Sequence, residues 1–260
     1  MELGSARVQG PLWGAAVDDW MAICEPWTAK LYAATLAALS PLAGRRVLDA
    51  GCGSGLALVL AAATGARVSG LDAAGSMVAA ARRRLPEADL RVGDIQELPF
   101  GPATFDVVMS FNALQYAEDP RAAAAELARV AAPGGRVAVG IWGDPERCET
   151  EAVFAAIRSL LPPRPGDAPL AISAPGVVEQ LLTSAGLTVA AGGEVDCRFS
   201  YPDLATGRRG QSAIGPFRAA IAVVGAERVR AAFTAAVEPF RQRDGSYLQD
   251  NVFRYVIAVR

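Results

Sequence analysis

The run Val47-Leu48-Asp49-Ala50-Gly51-Cys52-Gly53-Ser54-Gly55 constrains the fold more than any other segment of the chain. A short apolar strand carries a carboxylate into a turn holding three glycines, and the apolar stretch Leu56 to Ala63 follows at helical length. Glycine in such a turn adopts backbone conformations that side chains oppose, and it lets the backbone approach a bound nucleotide closely. The spacing is G-x-G-x-G, not the G-x-G-x-x-G of dinucleotide folds. Asp49 stands where it would repel a pyrophosphate and welcome an amino group. Glycine-rich turns also arise for purely structural reasons, so the surrounding pattern has to decide.

That pattern repeats the strand-helix unit. Arg46 to Ala50 leads to Leu56 to Ala63, and Arg67 to Leu71 leads to Gly75 to Leu85. Leu90 to Val92 and Phe105 to Phe111 read as strands three and four; a helix over Pro120 to Ala131 then passes through Pro133-Gly134-Gly135 to a fifth strand, Arg136 to Trp142. Such alternation calls for a doubly wound, mostly parallel sheet covered by helices on both faces. Trp20, Ile23, Trp27, Leu31 and Leu39 recur at helical spacing from Ala15 to Leu39, up to Ser40-Pro41. Beyond Trp142 come a short helix, a proline-rich stretch from Leu161 to Pro169, a helix over Ala174 to Ala185, and a sixth strand from Leu187 into Glu194 to Phe199. The expected organisation is an N-terminal helical segment over residues 1–40, an α/β core over 41–200, a helical and loop lid over 201–250, and a terminal core strand over 251–260.

Composition removes whole mechanisms. The chain has no histidine, which excludes Ser-His-Asp and Cys-His catalysis and histidine metal ligands. Lys30 is its only lysine. Cys24, Cys52, Cys148 and Cys197 form no CxxC pair, against a zinc site or a disulfide framework and in keeping with a reducing cytosol. A net charge of -2 with dispersed arginines offers no field for nucleic acid or anionic lipid. Glu2, Asp18 and Asp19 stand where a signal peptide needs positive charge, and no apolar run reaches membrane-spanning length. The expectation is a cytoplasmic protein with a small-molecule partner, no metal, no nucleic acid and no membrane; monomer and homodimer remain open.

Two further acidic residues follow strands at the same sheet edge. Asp72 closes Val68-Ser69-Gly70-Leu71-Asp72 about twenty residues after the glycine turn, where a Rossmann-type carboxylate grips a ribose diol, and it can also cap the next helix. Asp94, in Gly93-Asp94-Ile95, is placed to accept from an adenine amino group while Ile95 packs on the ring.

The segments VLDAGCGSG, GLDAAGSM, GDIQELPF, FDVVMSFNALQY and PGGRVAVGIW, in that order over roughly residues 45 to 142, resemble the successive motifs of class I S-adenosylmethionine-dependent methyltransferases. The resemblance implies a Rossmann-like seven-stranded sheet whose last strand is antiparallel, matching the alternating segment Asn251 to Val259. It implies S-adenosylmethionine as cofactor and S-adenosylhomocysteine as product. Asp49, Ala50, Gly51 and Gly53 would then lie along the methionine part, Asp72, Ala73 and Met77 along the ribose side, Gly93, Asp94 and Ile95 at the adenine, and Ser110, Phe111 and Asn112 on the far side of the pocket.

No catalytic residue is identified. Many small-molecule members carry a histidine-containing segment after strand four, where this chain has Leu114-Gln115-Tyr116. Tyr116, Glu118, Asp144, Glu146 and Tyr201 are candidates for the acceptor's proton. Trp13, Trp20, Gln115, Tyr116, Trp142 and Tyr201 are candidates for the acceptor wall, Trp27 is read as packing, and Gly207-Arg208-Arg209-Gly210-Gln211 as an anion-orienting loop. The expected activity is methyl transfer to O, N or C of a small molecule by direct displacement. The alternatives are a protein of the same fold that binds the cofactor without methylating, as in templating a cyclisation, and an NAD-dependent dehydrogenase, against which the glycine spacing speaks.

Overall fold

The computed structural model describes residues 5–162 and 171–260. The chain opens with helix α1 (Ala6–Trp13), the single turn α2 (Val17–Asp19), a widened π turn (Trp20–Cys24), a 3-10 turn (Glu25–Thr28) and α3 (Ala29–Ala38). The sequence predicts a helical segment here, and the chain realises it as a series of short helices and turns. Pro26 stands where the π turn gives way to the 3-10 turn, because a proline has no N–H for the i−4 carbonyl and its ring crowds that carbonyl. Helix α1 falls within the expected segment 1–40 but ahead of the periodic stretch Ala15 to Leu39, since Gly10 and Pro11 mask its periodicity.

The alternating core follows as β1 (Arg46–Ala50), α4 (Leu56–Ala62), β2 (Arg67–Asp72), α5 (Gly75–Arg84), β3 (Asp89–Val92), β4 (Phe105–Phe111), α6 (Pro120–Val130) and β5 (Ala131–Trp142). Helix α6 shows how local chemistry sets an element. Asp119 accepts from the amides of Arg121 (2.8 Å) and Ala122 (3.2 Å), Pro120 sits in the first turn where its missing N–H costs nothing, and Ala123, Ala124 and Leu127 form the buried stripe. Then come α7 (Thr150–Arg158), α8 (Val177–Ser184), β6 (Thr188–Tyr201), α9 (Leu204–Ser212), α10 (Gly215–Val224), α11 (Ala226–Val237) and β7 (Tyr247–Val259). The proline-rich stretch falls largely outside the described residues.

The seven strands lie in the order β3-β2-β1-β4-β5-β7-β6. Pairings within β3-β2-β1-β4-β5 are parallel, and β7 runs antiparallel to both its neighbours, as the family resemblance implied. Strand β7 begins at Tyr247, four residues before the expected Asn251, and Gln249 and Asn251 within it are buried. The insertion between β6 and β7 is therefore the three helices α9 to α11.

Successive residues of β1 feed opposite cores. Val47 joins a cluster with Leu31 of α3, Leu58 of α4 and Val78 of α5, while Leu48 joins one with Leu127 of α6 and Val178 of α8. Each such side chain contributes roughly 1.5–3 kcal/mol through burial. Both faces being covered, β1 and β4 are apolar through their centres, Val47–Leu48 and Val107–Met109, and their carboxyl ends emerge where the strand order turns back between β1 and β4. In open α/β sheets that crevice is where ligands bind.

Candidate functional site

The glycine turn occupies this crevice, and its three glycines serve different purposes. Gly51, Gly53 and Gly55 all have positive φ (92°, 53° and 87°), a backbone conformation that favours glycine. A Cβ on Gly51 would stand 2.2 Å from the Ala113 Cβ, and one on Gly55 3.0 Å from the Ala81 Cβ, so packing alone accounts for both. Gly53 has no other protein atom within 4 Å of such a Cβ. Its neighbour is the open space of a cleft that it lines together with Asp49, Asp72 and Asp94.

Asp49 is buried, and its Oδ1 has no hydrogen-bond partner. Burial, reinforced by the charge of Asp72, pushes its carboxyl up to about 8, so it is largely protonated at neutral pH. A buried acid without a donor fits a site whose donor arrives with the ligand. Asp72 accepts from the Gly53 amide (2.8 Å) at one oxygen and the Ala74 amide (2.9 Å) at the other. Burial raises this carboxyl as well, and those hydrogen bonds work against the rise. The residue at the cap of α5 is Ala74, which makes no side-chain bond. Asp72 is thus a strut between the loop after β2 and the glycine turn, and the expected helix cap is corrected. In Asp94 burial alone would raise the carboxyl, but donors from Gln96, Ala6 and Ser5 outweigh it and hold the group below its ordinary range.

The donors on Asp94 include the Ala6 amide (2.7 Å) and the Ser5 hydroxyl, so the start of α1 is fastened to the adenine candidate. Further along α1, Gly10 rests on the loop after β2: a Cβ there would be 2.6 Å from the Ala73 carbonyl oxygen. Ser76 donates to the Gly14 carbonyl at 2.8 Å. The N-terminal segment therefore forms a roof over the ends of β2 and β3. Trp13 and Trp20 line the cleft from this roof, and Tyr116 lines it from the turn after β4. The Trp13 ring meets Trp20 at 5.4 Å between centroids and 90°, and Tyr116 at 5.2 Å and 65°.

The cleft brings together Gly51, Ala73, Met77, Gly93, Ile95, Phe111 and Asn112 with the acids already described. Two expected cofactor contacts do not line it: Ala50 and Ser110 are wholly buried among strand neighbours. The acceptor wall is also smaller than expected. Trp142 is buried against Phe253 and Phe199, and Tyr201 against Tyr247, where its hydroxyl donates to Gln249 at 2.9 Å; both are core residues on the far strands. Gln115 does not line the cleft. Trp27 packs, stacked on Phe199 at 4.5 Å, as expected.

The proton-acceptor candidates fare similarly. Glu118, Asp144 and Glu146 are exposed and do not line the cleft, and Asp144 caps the turn Pro145–Arg147. Burial pushes the Tyr116 phenol up to about 12, so at neutral pH it is a hydroxyl and not a base. Arg208 and Arg209 lie on α9, occupied with Thr234 and Asp19, away from the cleft.

Sequence reasoning missed Glu25. It is buried, lines the cleft, and accepts from Arg84 of α5 through both oxygens (2.8 and 2.7 Å) and from the Ser54 hydroxyl; Arg84 also donates to the Ser54 carbonyl at 3.1 Å. The network ties the roof to the end of the glycine turn. A lone glutamate in a helical stretch reads as solvated, and its partner lies 59 residues away. Among the described residues no group of three or more His, Cys, Asp or Glu can hold a metal ion, and no helix is long and apolar enough to cross a membrane.

A doubly wound sheet with a glycine turn, acidic strand ends and an aromatic roof at its switch point is the architecture of a Rossmann-like methyltransferase. Residues 48–139 match the family described as methyltransferase domain, so this part of the chain is similar to the class I S-adenosylmethionine-dependent methyltransferases. Among curated relatives it is similar to 27-O-demethylrifamycin SV methyltransferase of Amycolatopsis mediterranei, 37% identical over 142 residues, covering 50% of this chain and 52% of that protein. It is also similar to demethylmenaquinone methyltransferase of Clavibacter sepedonicus, 38% identical over 116 residues, covering 43% and 47%. The chain spans about half or less of the length of these relatives. The YcgJ protein of Bacillus subtilis shares the fold, with a TM-score of 0.58, 18% identity, and coverage of 88% of this chain and 97% of that one.

Proposed function

We propose that the protein binds S-adenosylmethionine at the ends of β1 to β4 and transfers its methyl group to a small-molecule acceptor under the aromatic roof. The observation that carries this reading is the pairing of an unpartnered buried acid, Asp49, with a glycine, Gly53, that faces open space. Asp49 would take the amino group, Gly51 and Gly53 the methionine chain, Asp72 the ribose hydroxyls with Ala73 and Met77 beside them, and Asp94 the adenine amino group with Gly93 and Ile95 at the ring. Phe111 and Asn112 would close the far side. Relatives named for demethylmenaquinone and demethylrifamycin support a small-molecule acceptor. Four buried, unpaired cysteines support a reducing cytoplasm.

When bound, the cofactor supplies an activated methyl group open to direct displacement. The chain's own contribution is to hold the acceptor in line and exclude water, which accounts for much of the acceleration in such a reaction. With Tyr116 protonated, no histidine present and Glu25 engaged by Arg84 and Ser54, in this reading the acceptor arrives as its own nucleophile. Titration calorimetry with S-adenosylmethionine and NAD, followed by measurement of S-adenosylhomocysteine with trial acceptors, tests the proposal. One-to-one binding of S-adenosylmethionine and release of S-adenosylhomocysteine are expected. Binding of NAD in its place overturns it. Cofactor binding with conversion of an acceptor but no S-adenosylhomocysteine would favour the templating role.

A further inference from the structure

The half of the cleft under the roof differs in character from the half along the glycine turn. Its walls are the rings of Trp13, Trp20 and Tyr116, and most of its polar groups already satisfy one another. Gln9 accepts from the Trp13 indole at 3.2 Å, and the hydroxyls of Thr28 and Tyr32 share a 2.9 Å hydrogen bond. A surface of that kind offers area and ring contact more than directed polar bonds.

Charge narrows the choice further. The ionic side chains among the described residues lining the cleft are the carboxyls Glu25, Asp49, Asp72 and Asp94; no lysine or arginine lines it. The nearby cation Arg84 is spent on Glu25. A phosphate or carboxylate on an acceptor would enter a confined, poorly solvated space without a counter-ion, facing groups of its own sign. An ammonium fares little better. Asp72 and Asp94 are the acids assigned to the cofactor's ribose and adenine, and Glu25 is held by Arg84 and Ser54. The remaining acid, Asp49, is the one assigned to the cofactor's own amino group, so a second cation finds no free counter-ion in the loaded cleft.

We infer that the acceptor is an uncharged, largely apolar molecule with a flat ring system, resting against the contiguous aromatic surface of Trp13, Trp20 and Tyr116. This inference rests on the cofactor reading above. It is tested on the full chain saturated with S-adenosylhomocysteine, a step that itself separates the two: if calorimetry shows no binding of that ligand, the cofactor reading fails first. The loaded protein is then titrated with 2-naphthol, 2-naphthoate, 2-naphthyl phosphate and 2-naphthylmethylamine at pH 7, followed by tryptophan fluorescence and calorimetry. 2-Naphthol is expected to bind and quench the tryptophans, with both anions and the ammonium weaker by roughly 30-fold or more, as one unpaired charge in such a space implies. Trp13→Ala and Trp20→Ala should each weaken 2-naphthol by about 10-fold, with circular dichroism and S-adenosylhomocysteine affinity unchanged. Equal or tighter binding of an anion or of the ammonium, failure of all four probes to bind, or loss of S-adenosylhomocysteine in both tryptophan variants would overturn the inference.

Discussion

Asp49 carries the most testable chemistry of any single residue. Its carboxyl titrates near 8 in the folded chain and near 4 when unfolded, so the folded state holds the extra proton between those values. The sign follows: Asp49 subtracts from stability progressively as pH rises from about 4 to about 8, and the loss levels off above. The difference in ligand-free thermal stability between the parent and Asp49→Asn should grow across that window. A cationic ligand favours the carboxylate, so S-adenosylmethionine binding at pH 7 should release a proton, visible as a dependence of calorimetric enthalpy on buffer ionisation and absent in Asp49→Asn. The glycines make a second test. Gly53→Ala faces open space and bears only the strain of its positive φ, roughly 1 kcal/mol; it should stay folded and lose cofactor affinity. Gly51→Ala drives a Cβ into Ala113 and should lose stability first. Asp72 bridges two loops with both oxygens, and asparagine can accept at only one of them. Asp72→Asn should therefore lower both Tm and cofactor affinity, whereas a helix cap would tolerate the change.

At the scale of elements, the roof is the part whose placement the strand pattern does not set. Its attachment is polar at two points, Ser5 and Ala6 on Asp94 and Glu25 on Arg84 and Ser54, and apolar where Trp13 lies against Gly215 of α10. Replacing Arg84 by alanine leaves Glu25 buried and unpaired. Breaking a buried pair typically costs 3–5 kcal/mol, and because Arg84 keeps about a quarter of its side chain exposed the expected loss is nearer 2–3 kcal/mol by urea denaturation. If the network also positions the glycine turn through Ser54, the same variant should weaken S-adenosylmethionine while leaving the far-UV spectrum native. The elements themselves were legible to different degrees. β1, β4 and α6 match their expected bounds within a residue because apolar period, proline and cap agree there. The N-terminal stretch was legible as helical from its tryptophan and leucine spacing, but not its division into short helices and turns around Ala16 and Pro26.

For the whole molecule, the absence of histidine makes a prediction that no single residue carries. Activity on an acceptor of known pKa should show no limb near pH 6.5 that persists when the acceptor is exchanged for one of different pKa. A persistent limb would mean that a carboxyl in the cleft takes the acceptor's proton. The glycine turn, the acids at strand ends and the alternation of strand and helix are local features, written within a few residues of one another, so the sequence by itself determined the doubly wound sheet, its switch-point crevice and most of the glycine-turn side of the cleft. Trp142, Tyr201, Glu25 and Gly51 were decided by tertiary structure alone. Whether an aromatic ring faces a ligand or a neighbouring strand, whether a glutamate meets water or an arginine 59 residues away, and whether a glycine yields to a ligand or to Ala113 depend on which distant surfaces the sheet brings into contact. Packing free energies of that kind are sums over non-local neighbours, and no window of the chain contains them.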